Sequence, residues 1–96
     1  MPSFKDLVSH TIFINLAHRT DRCGQVIGEL EKLDISGTRF NAVKTTNGAV
    51  GCTISHLKCI EQAIANDWPY VFICEDDIVF LNPDLIRTNI GRFCET

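Results

Sequence analysis

Short apolar runs alternate along this chain with longer segments of helical periodicity, a pattern that predicts strands and helices in regular succession. Runs rich in β-branched and aromatic residues occur at residues 11–14, 38–43 and 70–74, and each is typical of a β-strand. The middle run alternates polar and apolar residues, which favours a position near a sheet edge. The third run has no polar alternation and therefore predicts a strand that is buried on both faces.

Between and after these strands, apolar residues recur at the spacing of one helix face. The first helix is predicted to begin at Thr20 or Asp21, either of which can cap it, and to end before Ser36. A second helix is predicted over residues 51–66. A third is predicted over residues 83–93, because Asn82-Pro83 is typical of a helix start. The predicted inner stripe of the second helix consists of large apolar residues: Ile54, Leu57, Ile60 and Ile64.

The resulting order, strand and helix three times over, predicts an α/β domain with a parallel sheet and right-handed crossovers. Ligands of such sheets bind beyond the carboxyl ends of the strands. The loop at residues 15–22 follows the first strand, and Glu75, Asp76 and Asp77 follow the third. Both groups are therefore predicted to lie at the same edge of the sheet.

Three adjacent carboxylates repel one another unless a cation lies between them, and carboxylate oxygens suit Mg²⁺ or Mn²⁺. If the chain stays extended here, Glu75 and Asp77 point to one side and Asp76 to the other. The alternative is that the acids begin a turn and cap the helix after Asn82.

The loop after the first strand is basic, with Arg19 and Arg22 on either side of Asp21. Guanidinium groups opposite a metal-binding carboxylate cluster suit a polyphosphate. The alternative is that both arginines are solvated helix-start residues and Asp21 is a cap. The chain lacks both a G-x-G-x-x-G motif after the first strand and a Walker lysine.

Composition narrows the classes of partner. The 96 residues, 45% of them hydrophobic, suffice for one small globular domain. The net charge of -3 gives no electrostatic reason to bind nucleic acid or anionic membranes. Residues 1–10 lack the features of a signal peptide, and no apolar run is long enough to span a membrane.

Five cysteines are an odd number, and most lie in apolar or helical stretches, which predicts reduced thiols in a cytoplasmic protein. A zinc site is the alternative, because Cys52, His56 and Cys59 share one helix face and Cys23 is available as a fourth ligand. The short knuckle spacing C-x₂-C that is typical of structural zinc is absent.

Four segments, residues 14–22, 39–43, 51–56 and 71–77, carry in this order the patterns N-L-x-x-R-x-D-R, R-F-x-A-V, G-C-x-x-S-H and an apolar strand followed by E-D-D. Together they resemble the glycosyltransferases of family 25, the lipopolysaccharide-type and procollagen-type galactosyl- and glucosyltransferases. The resemblance implies a Rossmann-like, three-layer α/β domain of the GT-A type that binds a UDP-sugar together with Mn²⁺ or Mg²⁺.

The resemblance also implies roles for individual residues. Glu75, Asp76 and Asp77 would hold the metal and the donor diphosphate, with Asp77 the first candidate for a direct ligand. The nucleotide end would be lined by Asn15, Arg19, Asp21 and Arg22. Ser55 and His56 match family positions near the donor.

Two departures from the family pattern limit the expected activity. The stretch at residues 44–50 is shorter than the family leads one to expect, and the chain ends at Thr96, soon after the acidic triplet. We therefore expect residues 1–96 to form a single truncated domain without the half that binds the glycan or protein acceptor. The alternative is an inactive remnant or interaction module. An exposed sheet edge and apolar patch would favour self-association.

Overall fold

A computed structural model describes residues 3–81 of the chain. Its elements are α1 (Phe4–Leu7), β1 (Thr11–Asn15), α2 (Thr20–Glu31), β2 (Gly37–Asn41), α3 (Gly48–Ala65) and β3 (Phe72–Glu75). The three predicted strands and the first two predicted helices are confirmed. The predicted helix at residues 83–93 and its cap at Asn82 lie outside the described residues.

Helix α1 was not predicted, because four residues are too few to show a helical period. A reciprocal capping box holds it: the Asp6 backbone N–H donates to Ser3 Oγ, and the Ser3 backbone N–H donates to Asp6 Oδ2. The hydrogen bonds from Ser3 lower the pKa of the Asp6 carboxyl group.

The three strands form a parallel sheet in the order β2-β1-β3. The predicted edge position of β2 is confirmed. The prediction that β3 is buried on both faces is wrong for the described residues: Phe72 and Ile73 are only half-buried, and Cys74 alone is buried. The physical reason is position, since β3 pairs with β1 and, among the described strands, lies at the opposite edge of the sheet. The fully buried strand is β1, whose five residues are all buried in the centre.

One apolar cluster covers each face of the sheet, which gives three layers. On one face, Phe13 of β1 packs with Val26 and Leu30 of α2. On the other face, Ile12 and Ile14 pack with Cys59 of α3. The alternation of side chains along β1 explains this division. The result is a small α/β layered domain with a three-stranded parallel sheet.

Helix α3 packs on the sheet with a different face from the predicted one. Its buried residues are small: Gly51, Ser55, Cys59 and Ala63. Of the large residues predicted to face inward, Ile54 is half-buried, whereas Leu57, Ile60 and Ile64 are exposed by 54%, 43% and 71%. The prediction of the inner stripe was wrong because a helix with apolar residues on several sides does not specify its inner face by periodicity alone.

Gly51 shows why small residues are required on this face. A Cβ atom at this position would lie 2.5 Å from the backbone oxygen of Val43 and 3.2 Å from Thr45 Oγ1. The absence of a side chain therefore lets the first turns of α3 approach the loop that follows β2. This close approach forms one wall of the site described next.

Candidate functional site at the carboxyl edge

The carboxyl ends of the three strands open onto a cavity of about 360 Å³. Its walls come from the loops after β1 and β2, from the start of α3 and from the end of β3. The charged side chains that line it are Arg19, Arg22, Lys44, Glu75 and Asp76. The prediction that the arginine loop and the acidic residues lie at one edge is confirmed, because β1 and β3 are parallel and Ile14 pairs in register with Glu75.

Asn15, the last residue of β1, connects the polar side chains of this edge. The residue is 2% exposed, and its Nδ2 donates to the backbone oxygen of Arg19 at 3.0 Å and to Asp76 Oδ2 at 2.8 Å. Its Oδ1 accepts from Arg39 Nε at 2.9 Å. Asn15 thus connects the end of β1 to β2 through Arg39 and to the turn after β3 through Asp76. Its predicted contact with a nucleotide remains untested.

Arg39 is a site residue that we did not single out from the sequence. It lies on β2, and its Nη2 donates to the backbone oxygen of Asn15 at 2.9 Å and to Asn41 Oδ1 at 3.0 Å. The sequence feature that could have identified Arg39 is its position: it places a guanidinium group within a predicted strand, at the start of the R-F-x-A-V pattern. Arg39 fixes the position of Asn15 rather than lining the cavity.

The two arginines after β1 have different partners. Arg19 Nε and Nη2 donate to the two carboxylate oxygens of Asp21 at 3.1 and 3.0 Å, and these bonds lower the pKa of Asp21 to about 2. Arg22 Nη1 lies 3.6 Å from Asp76 Oδ1. The predicted cap at Thr20 or Asp21 is wrong: Arg19 occupies the cap position and makes no side-chain capping bond. Asp21 is instead held in its ion pair with Arg19.

The acidic triplet divides among three environments. Strand β3 ends at Glu75, and the backbone N–H of Ile78 donates to the backbone oxygen of Glu75 at 3.4 Å. The part of the alternative in which the acids begin a turn is therefore confirmed, and the extended geometry that would place Glu75 and Asp77 on one side is not present. The helix that the acids would cap lies outside the described residues. Asp76 turns towards Asn15 and Arg22. Asp77 is exposed, and among the described residues no side chain bonds to its carboxylate.

Glu75 faces α3, as expected from its register with Ile14. Cys52 Sγ donates to Glu75 Oε1 at 3.0 Å, and this bond, together with burial, raises the pKa of the Cys52 thiol. His56 lies one helical turn after Cys52. Ligand atoms of Cys52, His56 and Glu75 all lie within 4.8 Å of one another.

The zinc alternative with Cys59 and Cys23 is wrong. Cys59 is buried on the α3 face of the sheet, whereas Cys23 packs against the cluster on the α2 face. The four cysteines in the described part of the chain are free thiols. Burial raises the pKa of Cys59 and raises that of Cys74 to about 11, so both are inert core residues.

Ser55 is fully buried beneath the cavity. Its Oγ accepts from the Val43 backbone N–H and donates to the Gly51 backbone oxygen, each at 2.9 Å. The hydroxyl group therefore ties the loop after β2 to α3 and holds one wall in place. Its predicted contact with a donor remains untested.

A larger cavity of about 530 Å³ lies near the amino ends of the strands. Its lining is apolar or aromatic and includes Phe4, Leu33, Tyr70 and Phe80. Among residues 3–81 no charged side chain lines this cavity, so the described lining offers no charged group to a phosphate or a metal. The chemistry of the described residues is concentrated at the carboxyl edge.

Comparison with known proteins gives two matches. The family model described as glycosyltransferase family 25, a lipopolysaccharide-biosynthesis protein, matches residues 44–89. A procollagen lysyl hydroxylase and glycosyltransferase of Acanthamoeba polyphaga mimivirus is 26% identical over an alignment that is 113 residues long with its gaps. The alignment covers 79% of this chain and 13% of the viral protein. The chain thus spans only a small part of the length of that relative.

No solved structure matches the chain significantly. Within residues 3–81, no helix has the length and apolar character needed to cross a membrane. The matched segment begins in the loop after β2 and contains α3, β3 and the acidic triplet. Of the triplet, Glu75 and Asp76 line the carboxyl-edge cavity, and Asp77 follows them outside its lining. The family match and the viral relative together show that this chain is related to the glycosyltransferases of family 25.

Proposed function

We propose that the chain forms the donor-binding part of a glycosyltransferase and that its carboxyl-edge cavity binds a UDP-sugar with Mn²⁺ or Mg²⁺. The observation that supports this most directly is the cavity itself, where Arg19 and Arg22 line the same space as Glu75 and Asp76. Opposite charges around one cavity at the carboxyl edge of a parallel sheet suit a metal-bound diphosphate.

The residues present fit a hard cation. Asp77 is exposed and free to coordinate, and Asp76 lies beside it with a carboxylate that already faces Arg22 and Asn15. Oxygen ligands of this kind suit Mn²⁺ and Mg²⁺. In the proposed complex Asp77 is the principal ligand and Asp76 is held in position by Asn15. The bound metal would stabilise the negative charge of the departing nucleoside diphosphate.

Arg22 is the better placed of the two arginines to bind phosphate. It is 41% exposed and lies 3.6 Å from Asp76, a long contact that a phosphate can replace. Arg19 is engaged by Asp21 through two hydrogen bonds and therefore holds the loop in shape. Because Arg22 is adjacent to the proposed metal ligand, its guanidinium group would contact the same diphosphate.

Calorimetric titration of the chain with UDP, with and without Mn²⁺, tests this function. We expect tighter binding with Mn²⁺ and at least about a tenfold loss of affinity in Asp77→Asn, because a bond to a charged group contributes about 1.5–3 kcal/mol. Asp67→Asn is the matched control, since Asp67 is also exposed but follows the far end of α3. Equal affinity with and without Mn²⁺ would contradict the metal site.

An interaction module without activity is the second candidate, favoured by the exposed apolar residues Leu57 and Ile64 on α3. Such a module would keep the fold and bind a partner or a second copy. UDP-sugar hydrolysis or transfer by the purified chain, abolished in Asp77→Asn, would exclude it.

The glycosyltransferase proposal also includes an acceptor and a location. The acceptor would be a glycan or a protein. The location would be the cytoplasm, a compartment that suits the free thiols of the described residues.

A further inference from the structure

Three side chains of different ligand chemistry meet where α3 passes the end of β3. Cys52 and His56 are one turn apart on the helix, and Glu75 is the last residue of the strand. The thiol sulfur, an imidazole nitrogen and a carboxylate oxygen all lie within 4.8 Å of one another. The sulfur and nitrogen ligands distinguish this group from Asp76 and Asp77, which offer only oxygen.

We propose that Cys52, His56 and Glu75 form a binding site for a transition metal of the zinc class, distinct from a hard-cation site at Asp76 and Asp77. Thiolate and imidazole ligands select zinc and its neighbours, whereas Mg²⁺ and Mn²⁺ prefer oxygen. The proposal does not depend on UDP binding, although Glu75 lines the same cavity.

The geometry requires only small side-chain movements. Neighbouring ligand atoms of a tetrahedral zinc ion with sulfur, nitrogen and oxygen ligands lie about 3.4–3.6 Å apart, given the usual bond lengths. Cys52 Sγ and Glu75 Oε1 are already 3.0 Å apart, and the whole group lies within 4.8 Å. Cys52 and His56 are half-buried and Glu75 is exposed, so they can adjust without repacking the core.

Metal binding replaces an existing hydrogen bond. The Cys52 thiol now donates its proton to Glu75 Oε1. When the metal binds, the S–H bond breaks, the proton passes to solvent, and the sulfur lone pair forms the metal–sulfur bond. Glu75 then binds the metal instead of the thiol proton, and His56 supplies a neutral nitrogen. Three protein ligands leave a fourth position for water or another small ligand.

Titration of the full 96-residue chain with Co²⁺, a spectroscopic substitute for zinc, tests the site. We expect a thiolate-to-cobalt charge-transfer band in the near ultraviolet, intense visible bands of a tetrahedral ion, and loss of both when Zn²⁺ is added. Cys52→Ser should abolish the charge-transfer band, and His56→Gln should weaken Co²⁺ binding at least about tenfold. Circular dichroism of each variant checks that it is folded.

Two control variants separate this site from its alternatives. Cys23→Ser removes a half-buried thiol on the opposite face of the sheet and should leave the band unchanged. Asp77→Asn should leave the band unchanged while it weakens Mn²⁺-dependent UDP binding, so the two proposals can fail separately. Absence of the band in the parent chain, or its persistence in Cys52→Ser, would overturn the zinc-class site.

Discussion

Asn15 ends the central strand with a primary amide, and the neighbouring charges explain why this residue type suits the position. Its nitrogen donates to the carboxylate of Asp76, and its oxygen accepts from the guanidinium group of Arg39. An aspartate here would lack the donor and would place a second negative charge against Asp76. One buried amide can therefore bridge a carboxylate and a guanidinium group without adding charge.

We predict that Asn15→Ala lowers the free energy of unfolding by about 1–3 kcal/mol, because it leaves buried hydrogen-bonding groups without partners. Asn41→Ala is the matched control. Asn41 ends the neighbouring strand but is exposed, and the substitution should cost less than about 0.5 kcal/mol. Urea denaturation monitored by circular dichroism measures both values, and equal losses would contradict the bridging role.

At the scale of elements, the face of α3 that packs on the sheet is decided by close approach rather than by hydrophobicity. Gly51, Ser55, Cys59 and Ala63 recur every four residues and form a narrow face of small side chains. This face brings the helix close to the loop after β2, where Ser55 bonds to the Val43 backbone. Cys52 and His56 lie one position after Gly51 and Ser55, which places Cys52 in the cavity wall and His56 close to Cys52 and Glu75.

Two adjacent residues of α3 distinguish the observed face from the predicted one. Ala63→Leu should lower the free energy of unfolding by about 1–3 kcal/mol, because Ala63 is 5% exposed and a larger side chain would overpack the contact with the sheet. Ile64→Gln should cost less than about 0.5 kcal/mol, because Ile64 is 71% exposed. If urea denaturation gave the reverse order, the large apolar residues would face the sheet.

At the scale of the whole molecule, the described residues have a polar edge and an apolar side. The charged groups that could bind a ligand surround the cavity at the carboxyl edge. On the outer side of α3, Leu57, Ile60 and Ile64 are 54%, 43% and 71% exposed. Large apolar residues grouped on one exposed helix face are typical of a surface that associates with another protein.

We therefore predict that the purified chain self-associates through the outer face of α3. In sedimentation velocity experiments the sedimentation coefficient should rise with protein concentration. The combined variant Leu57→Gln, Ile60→Gln and Ile64→Gln should remain monomeric with an unchanged circular dichroism spectrum. A clean monomer of the parent chain at high concentration would contradict the prediction.

The three strands, the two helices between them, the order of these five elements and the shared carboxyl edge were predictable from the sequence. They follow from local periodicity and from the parallel sheet that alternating strands and helices form. The placement of Arg22 and Asp76 at one edge is a consequence of that order. The resemblance to family 25 was likewise visible in local patterns, and the family match supports it.

Tertiary structure decided the contacts that depend on distance between elements. Periodicity could not show that β1 rather than β3 is buried on both faces, since that depends on which strand lies in the centre. Periodicity also could not show which face of α3 packs on the sheet, because close packing at Gly51 competes with the burial of larger side chains. For the same reason it grouped Cys59 with Cys52 and His56, whereas the fold buries Cys59 and brings Glu75 to the pair.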